Sequence, residues 1–240
     1  MKAGNFFCFG HRGARGHEPE NTLRAVRKAL ALGANGIEVD VHLADGHLMV
    51  IHDDTLERTT NGKGAVAEKS FSCLRSLDAG LGEPIPTLAE IFDAVNRRAL
   101  INVELKGPAT AEPVTLLIEE YVRCGWRYED FLVSSFDFAQ IRAAATLQPA
   151  LRTGALIEEV PRGLAAPAER LGAWSLHCSK KCVTDELVAD AHRRGLKLFA
   201  YTINAPDDIA AMVALGVDGV FTDYPDRVLA FLQGQNSIRR

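Results

Sequence analysis

Short apolar runs alternate with amphipathic stretches along almost the whole of this 240-residue chain. Eight of the runs have the length and composition of buried strands: Phe6–Phe9, Gly36–Val41, Leu100–Leu105, Phe131–Ser135, Leu151–Leu156, Trp174–His177, Lys197–Thr202 and Gly219–Thr222. Between them, Thr22–Leu32, Leu88–Val95, Pro113–Cys124, Phe138–Leu147, Asp185–Arg194 and Asp207–Leu215 repeat apolar residues at helical spacing. Asn21 and Thr184 stand where helix N-caps belong, and Gly33, Gly125, Gly195 and Gly216 stand where helices stop. A strand followed by a helix returns to pair in parallel with the next strand, and eight such units close a cylinder. The pattern predicts an α/β chain folded as one (β/α)8 TIM barrel over residues 1–240.

One connection breaks the rhythm. About sixty residues, Val41 to Ala99, separate the second strand from the third. Asp45-Gly46 reads as a tight turn with Leu48–Ile51 returning from it, and 59–64 and 80–86 read as loops. An insertion after the second strand, at about 53–86, is therefore expected beside the barrel mouth.

Bulk properties exclude several classes. With 47% hydrophobic and 24% charged residues the chain can bury a sizeable core. A net charge of -4 argues against nucleic acid as the main partner, and Ile238-Arg239-Arg240 reads as a solvated end. Cys8, Cys73, Cys124, Cys178 and Cys182 are scattered and odd in number, which suits a reducing compartment rather than a disulfide framework or a zinc site. No run is long enough for a membrane span, and Phe6–Phe9 is too short for a signal peptide, so a cytoplasmic protein without membrane insertion is expected.

Polar residues gather where the barrel reading puts the C-terminal strand ends. Glu38 and Asp40 lie at i and i+2 in the second strand, hence on one face, and Glu104 and Lys106 repeat the arrangement at the end of the third. Buried acids on one face are costly unless a cation or proton stabilises them. Glu38, Asp40 and Glu104 offer hard oxygen donors, which suit Mg²⁺ or Ca²⁺. His11 and His52 are natural proton carriers, and Arg12 and Lys106 can neutralise a phosphate. His177 ends the sixth strand and is either a substrate contact or structural. For His17, His42, His47 and His192 a structural place is the expectation. Gly13, Gly16, Gly62 and Gly64 read as turns, and neither a phosphate-binding glycine loop nor a Gly-x-Ser-x-Gly elbow is present. The set describes metal-assisted phosphoester cleavage.

The ordered series His11-Arg12-Gly13, Pro19-Glu20-Asn21-Thr22, Glu38-Val39-Asp40, His52-Asp53 and Asn102-Val103-Glu104-Leu105-Lys106 resembles the glycerophosphodiester phosphodiesterase family, particularly its compact bacterial cytoplasmic type. Tyr201-Thr202-Ile203-Asn204 and the run Gly216 to Asp223 complete the resemblance, with Tyr201 where the family commonly shows Trp. The resemblance implies hydrolysis of glycerophosphodiesters such as glycerophosphocholine or glycerophosphoethanolamine to sn-glycerol 3-phosphate and an alcohol. It implies that His11 and His52 are the acid/base pair and that Glu38, Asp40 and Glu104 hold one divalent cation. Arg12 and Lys106 then look like phosphate contacts, with Tyr201 and His177 as further substrate contacts. The alternative is another metal-dependent barrel enzyme, an isomerase or lyase acting on a phosphorylated small molecule.

Overall fold

In a strand, alternate side chains face opposite ways, and this alternation decides what fills the barrel and what meets its helices. The structure, a computed structural model, describes residues 6–238. Arg239 and Arg240, read above as part of a solvated end, lie outside the described residues. In chain order the elements are β1 (Phe7–Gly10), α1 (Leu23–Leu32), β2 (Gly36–Ala44), β3 (His47–Val50), α2 (Phe71–Arg75), α3 (Leu88–Val95), β4 (Leu100–Leu105), α4 (Ala111–Arg123) and β5 (Phe131–Ser135). They continue with α5 (Phe138–Leu147), β6 (Arg152–Ile157), α6 (Ala166–Arg170), β7 (Ser175–Ser179), α7 (Asp185–Arg193), β8 (Lys197–Tyr201), α8 (Pro206–Leu215), β9 (Gly219–Thr222) and α9 (Pro225–Ile238). Strands β1, β9, β8, β7, β6, β5, β4 and β2 pair in that order, and β1 pairs with β2 to close the eight-stranded parallel barrel. The strand outside the barrel, β3, runs antiparallel to β2 across a two-residue turn in which Asp45 and Gly46 both have positive φ, 47° and 73°.

Outward residues such as Ile37, Val39 and Val41 of β2 and Ile101, Val103 and Leu105 of β4 pack against the helices. Cys8, Leu176, Cys178, Leu198 and Val220 do the same on the other side of the barrel. Inside, the base is plugged by Phe7, Phe9, Leu100, Leu132, Trp174, Phe199 and Phe221. Phe9 stacks on Phe221 at 4.7 Å and meets Phe199 edge-on at 5.2 Å. Gly36 makes this possible: a Cβ there would lie 2.3 Å from the Phe9 ring. The polar inward residues of β2 and β4, Glu38, Asp40, Asn102 and Glu104, lie above this plug.

Strand and helix limits match the sequence reading to within three residues, with two differences of substance. Thr22, not Asn21, caps α1, its side chain accepting from the Ala25 N–H. Asn21 sits one residue earlier at φ 57° and is bonded to the site instead. Helices α2, α6 and α9 are additions. In α9, Val228 is buried, and Leu229, Phe231 and Leu232 pack against the same apolar cluster on the outside of the barrel. The segment after β3 carries its own apolar cluster, including Met49, Ile51, Leu56, Val66, Leu74 and Ile85.

Candidate active site

Register places the acids. Across β2 and β4, Asp40 stands opposite Glu104 and Glu38 opposite Asn102. Like charges directly opposite destabilise a sheet, yet Glu38, Asp40 and Glu104 are 2%, 1% and 9% exposed. One carboxylate oxygen from each lies within 4.8 Å of the others. Burial, then repulsion from Asp40 and Glu104, pushes Glu38 well above the usual carboxylate range. Burial and Asp40 push Glu104 up to about 7, against the pull of Lys106.

The protein neutralises this charge only in part. Lys106 Nζ donates to Glu104 at 2.9 Å, and Asn21 Nδ2 donates to Asp40 at 2.9 Å. Arg12 has φ 52°, a left-handed conformation that costs a non-glycine residue about 1–2 kcal/mol. In that conformation its backbone N–H donates to Glu38 Oε2 at 2.7 Å while its Nε stands 3.2 Å from Asp40. Glu38 Oε1 is buried with no partner. An orphaned carboxylate oxygen amid three converging, oxygen-only donors fits a hard divalent cation.

Two imidazoles face the same space. His11 follows β1, and its Nδ1 lies 2.7 Å from Asp223 Oδ1; His52 Nδ1 lies 2.6 Å from Asp53 Oδ1. Hydrogen bonds from Arg58 hold Asp53 well below the usual range, helped by His52. Burial raises Asp223, but His11 and Arg15 more than offset it. Both aspartates are therefore ionised acceptors, so each Nδ1 donates and each neutral ring presents a bare Nε2. Burial lowers the pKa of both histidines, opposed chiefly by Asp223 for His11 and by Asp40 for His52.

A cavity of about 330 Å³ joins these groups. His11, Arg12, Glu38, His52, Glu104 and Lys106 line its polar side, while Phe136, Leu156 and Phe221 contribute apolar surface. Asp40 is not part of the lining and holds its place through Arg12 and Asn21. The two further contacts read from the sequence also line it. Tyr201 offers only its ring, because its hydroxyl donates to the Ile157 carbonyl at 2.7 Å. His177 is fully buried, shares a 2.8 Å hydrogen bond with Ser175 Oγ through Nε2 and has no partner at Nδ1. Burial alone drives its pKa down to about 3. Gly154 makes room for that ring, since a Cβ there would lie 2.6 Å from it.

The remaining histidines sit outside the cavity with partners of their own: His17 with Asp226, His192 with Asp218, and His47 stacked on Phe71 at 3.9 Å. His42 does more than fill space, donating from Nε2 to the His52 carbonyl at 3.1 Å. Sequence reasoning assigned no catalytic or binding role to Glu20, Asp53, Arg58, Asn204 or Asp223, and read Asn21 only as a helix cap. For Asp53 and Asp223 a signal existed, an acid beside His52 and an acid ending the last strand. For Arg58, in the long insertion, there was none.

The sequence profile described as the glycerophosphoryl diester phosphodiesterase family matches residues 11–227. A glycerophosphodiester phosphodiesterase of Caldanaerobacter subterraneus is 38% identical over 237 residues, covering 91% of this chain and 94% of that protein. One from Bacillus altitudinis is 37% identical, covering 92% and 96%. Among solved structures, an Oleispira antarctica phosphodiesterase in complex with its product sn-glycerol-3-phosphate superposes with a TM-score of 0.87 at 30% identity, covering 95% of this chain and 96% of that one. Among the described residues, no helix is long and apolar enough to cross a membrane.

Proposed function

The chain belongs to the glycerophosphoryl diester phosphodiesterase family and is a phosphoric diester hydrolase, and from that premise we propose that it cleaves small glycerophosphodiesters, glycerophosphocholine and glycerophosphoethanolamine among them, to sn-glycerol 3-phosphate and a free alcohol. The Oleispira relative, which holds sn-glycerol-3-phosphate as its product, supports the same product here. The observation that carries the reading is local. Two imidazoles, each engaged at Nδ1 by an ionised aspartate, open onto the same cavity as Glu38, Glu104, Arg12 and Lys106.

Glu38, Asp40 and Glu104 would hold one divalent cation, Mg²⁺ or Ca²⁺. Bound there, it supplies positive charge that draws a phosphate oxygen and stabilises the charge building on it. Arg12 and Lys106 would meet the phosphate from the protein side, Arg12 by its planar fork and Lys106 as a point charge. One histidine takes a proton at Nε2 from the attacking oxygen, either water or the neighbouring glycerol hydroxyl. The other, protonated on Nε2, gives its proton to the departing alcohol oxygen. Asp53 and Asp223 stabilise whichever ring becomes charged. The Tyr201 ring would lie along substrate carbons, and His177 would be a further contact at the cavity wall. We read the chain as one catalytic domain with about 53–86 as a subdomain at its mouth. Unpaired Cys8, Cys178 and Cys182 support a reducing, cytoplasmic setting.

The test is release of sn-glycerol 3-phosphate from the choline and ethanolamine diesters, with Mg²⁺ or Ca²⁺ and with EDTA. Release that EDTA abolishes and either cation restores is expected. No release from a panel of such diesters with either cation would overturn the substrate assignment.

A further inference from the structure

The two histidine–aspartate pairs are tied together through one carboxylate. Arg58 donates to Asp53 from Nε at 2.6 Å and from Nη2 at 2.9 Å. The same guanidinium donates from Nη1 and Nη2 to the two oxygens of Glu20, at 2.9 and 2.8 Å. Glu20 also accepts from Arg12 Nη1 at 2.7 Å. On its far side Arg15 stands 3.8 Å from Glu20 and 2.9 Å from Asp223, which holds His11. Glu20 thus sits between both proton carriers, and Arg58 is the link on the His52 side.

Arg58 is half exposed, and an ordinary ion pair at such a place contributes little. This one differs in geometry. Two edges of one planar fork each grip a carboxylate in bidentate fashion, so both acids are fixed in orientation as well as charge. An ammonium in the same place could match the charge but not the two parallel grips. Arg58 is not among the residues lining the cavity, and it comes from the segment inserted after β3.

We propose that Arg58 is a positioning residue for the hydrolysis: by clamping Asp53 against Glu20 it keeps His52 in the Nδ1-protonated tautomer, with Nε2 free toward the cavity. This rests on the reading of His52 as a proton carrier. It gives the inserted segment a role in the chemistry through a contact that never meets the substrate.

The experiment uses full-length enzyme labelled with ¹⁵N-histidine and saturated with Mg²⁺, at a pH where His52 is neutral. The ring signals of His52 are identified by their loss in His52→Gln. Wild type should show protonated Nδ1 and bare Nε2. In Arg58→Gln the pattern should become a mixture of tautomers, and kcat should fall about 10–100-fold, the size typical of a group that orients a reacting ligand from one contact away. KM for the diester should change less than about threefold. Arg58→Lys, which restores charge without the fork, should leave the tautomers mixed and kcat below about a third of wild type. An unchanged ring pattern in Arg58→Gln, or wild-type kcat in either variant, would overturn the proposal. If the Gln variant proves unfolded by circular dichroism, the Lys variant decides by the same criteria. Full activity in His52→Ala would instead overturn the role of His52 itself, so the two failures are distinguishable.

Discussion

His177 makes the acid stability of this protein a measurement of its interior. The ring is fully buried at the centre of β7, with Ser175 on one nitrogen and nothing on the other, and burial lowers its pKa from 6.5 to about 3. The folded protein therefore keeps His177 neutral through pH 5, while the unfolded chain takes up a proton below about 6.5. The stability that neutral His177 allows is complete above pH 6.5 and is lost as pH falls toward 3. At 1.36 kcal/mol per unit of displacement, protonation of this one group in the unfolded chain should remove about 2 kcal/mol between pH 7.5 and 5.0. His11, His52, Glu20 and Asp223 also titrate differently in the two states, but they do so in any variant at position 177 and cancel in the comparison. The perturbation is His177→Gln, which retains an amide for Ser175 and removes the titration. Urea unfolding followed by the fluorescence of Trp126 and Trp174, at pH 7.5 and 5.0, gives both stabilities. Wild type should lose about 2 kcal/mol more than the variant over that interval, whatever the substitution costs at pH 7.5. Equal losses in the two proteins would refute a neutral, desolvated His177.

Other consequences concern the site and the barrel base. His11→Ala and His52→Ala should each lower kcat by about 10²–10⁴-fold, read in a steady-state assay with the choline diester, with circular dichroism unchanged; near-wild-type turnover in either would remove that residue from the chemistry. Added Mg²⁺ or Ca²⁺ should raise the Tm of wild type by mass action, and Glu38→Gln should weaken that shift. In EDTA the same variant should melt no lower than wild type, because it removes a carboxyl that, buried beside Asp40 and Glu104, must either carry an unfavourable charge or take up a proton on folding. Phe9→Ala opens a hole in the aromatic plug and should cost about 3–5 kcal/mol in urea unfolding, with less than 1 kcal/mol arguing that the rings there are loosely packed.

Sequence carried the barrel well because its eight strands are apolar runs bounded by turn residues, and β4, β5 and β9 appear with the predicted limits. The acids were legible for the same reason, since period-two alternation alone puts Glu38 with Asp40 and Glu104 with Lys106. What escaped lacked local periodicity. Helices α2 and α6 are five residues each, too short to show a stripe. The apolar residues of α9 cluster at Val228, Leu229, Phe231 and Leu232 and give way to Gln-Gly-Gln-Asn-Ser, a poor helical run. Asn21 was read as a cap because Asn commonly serves as one; its neighbour Thr22 took that place and freed it for Asp40. Arg58 meets Asp53 and Glu20, residues 5 and 38 positions away, through a loop that no pattern predicts.

The plug of rings at the barrel base has a kinetic corollary. With Phe9, Phe199 and Phe221 sealing the far end, the reaction chamber is a cul-de-sac. On the proposed function, a diester enters and two fragments leave at the end away from the rings, so the fragment nearer that end is expected to depart first. The deeper fragment should then compete with new substrate, a pattern that product-inhibition kinetics would reveal. The rings thereby turn the depth of the barrel into an expected order of product release.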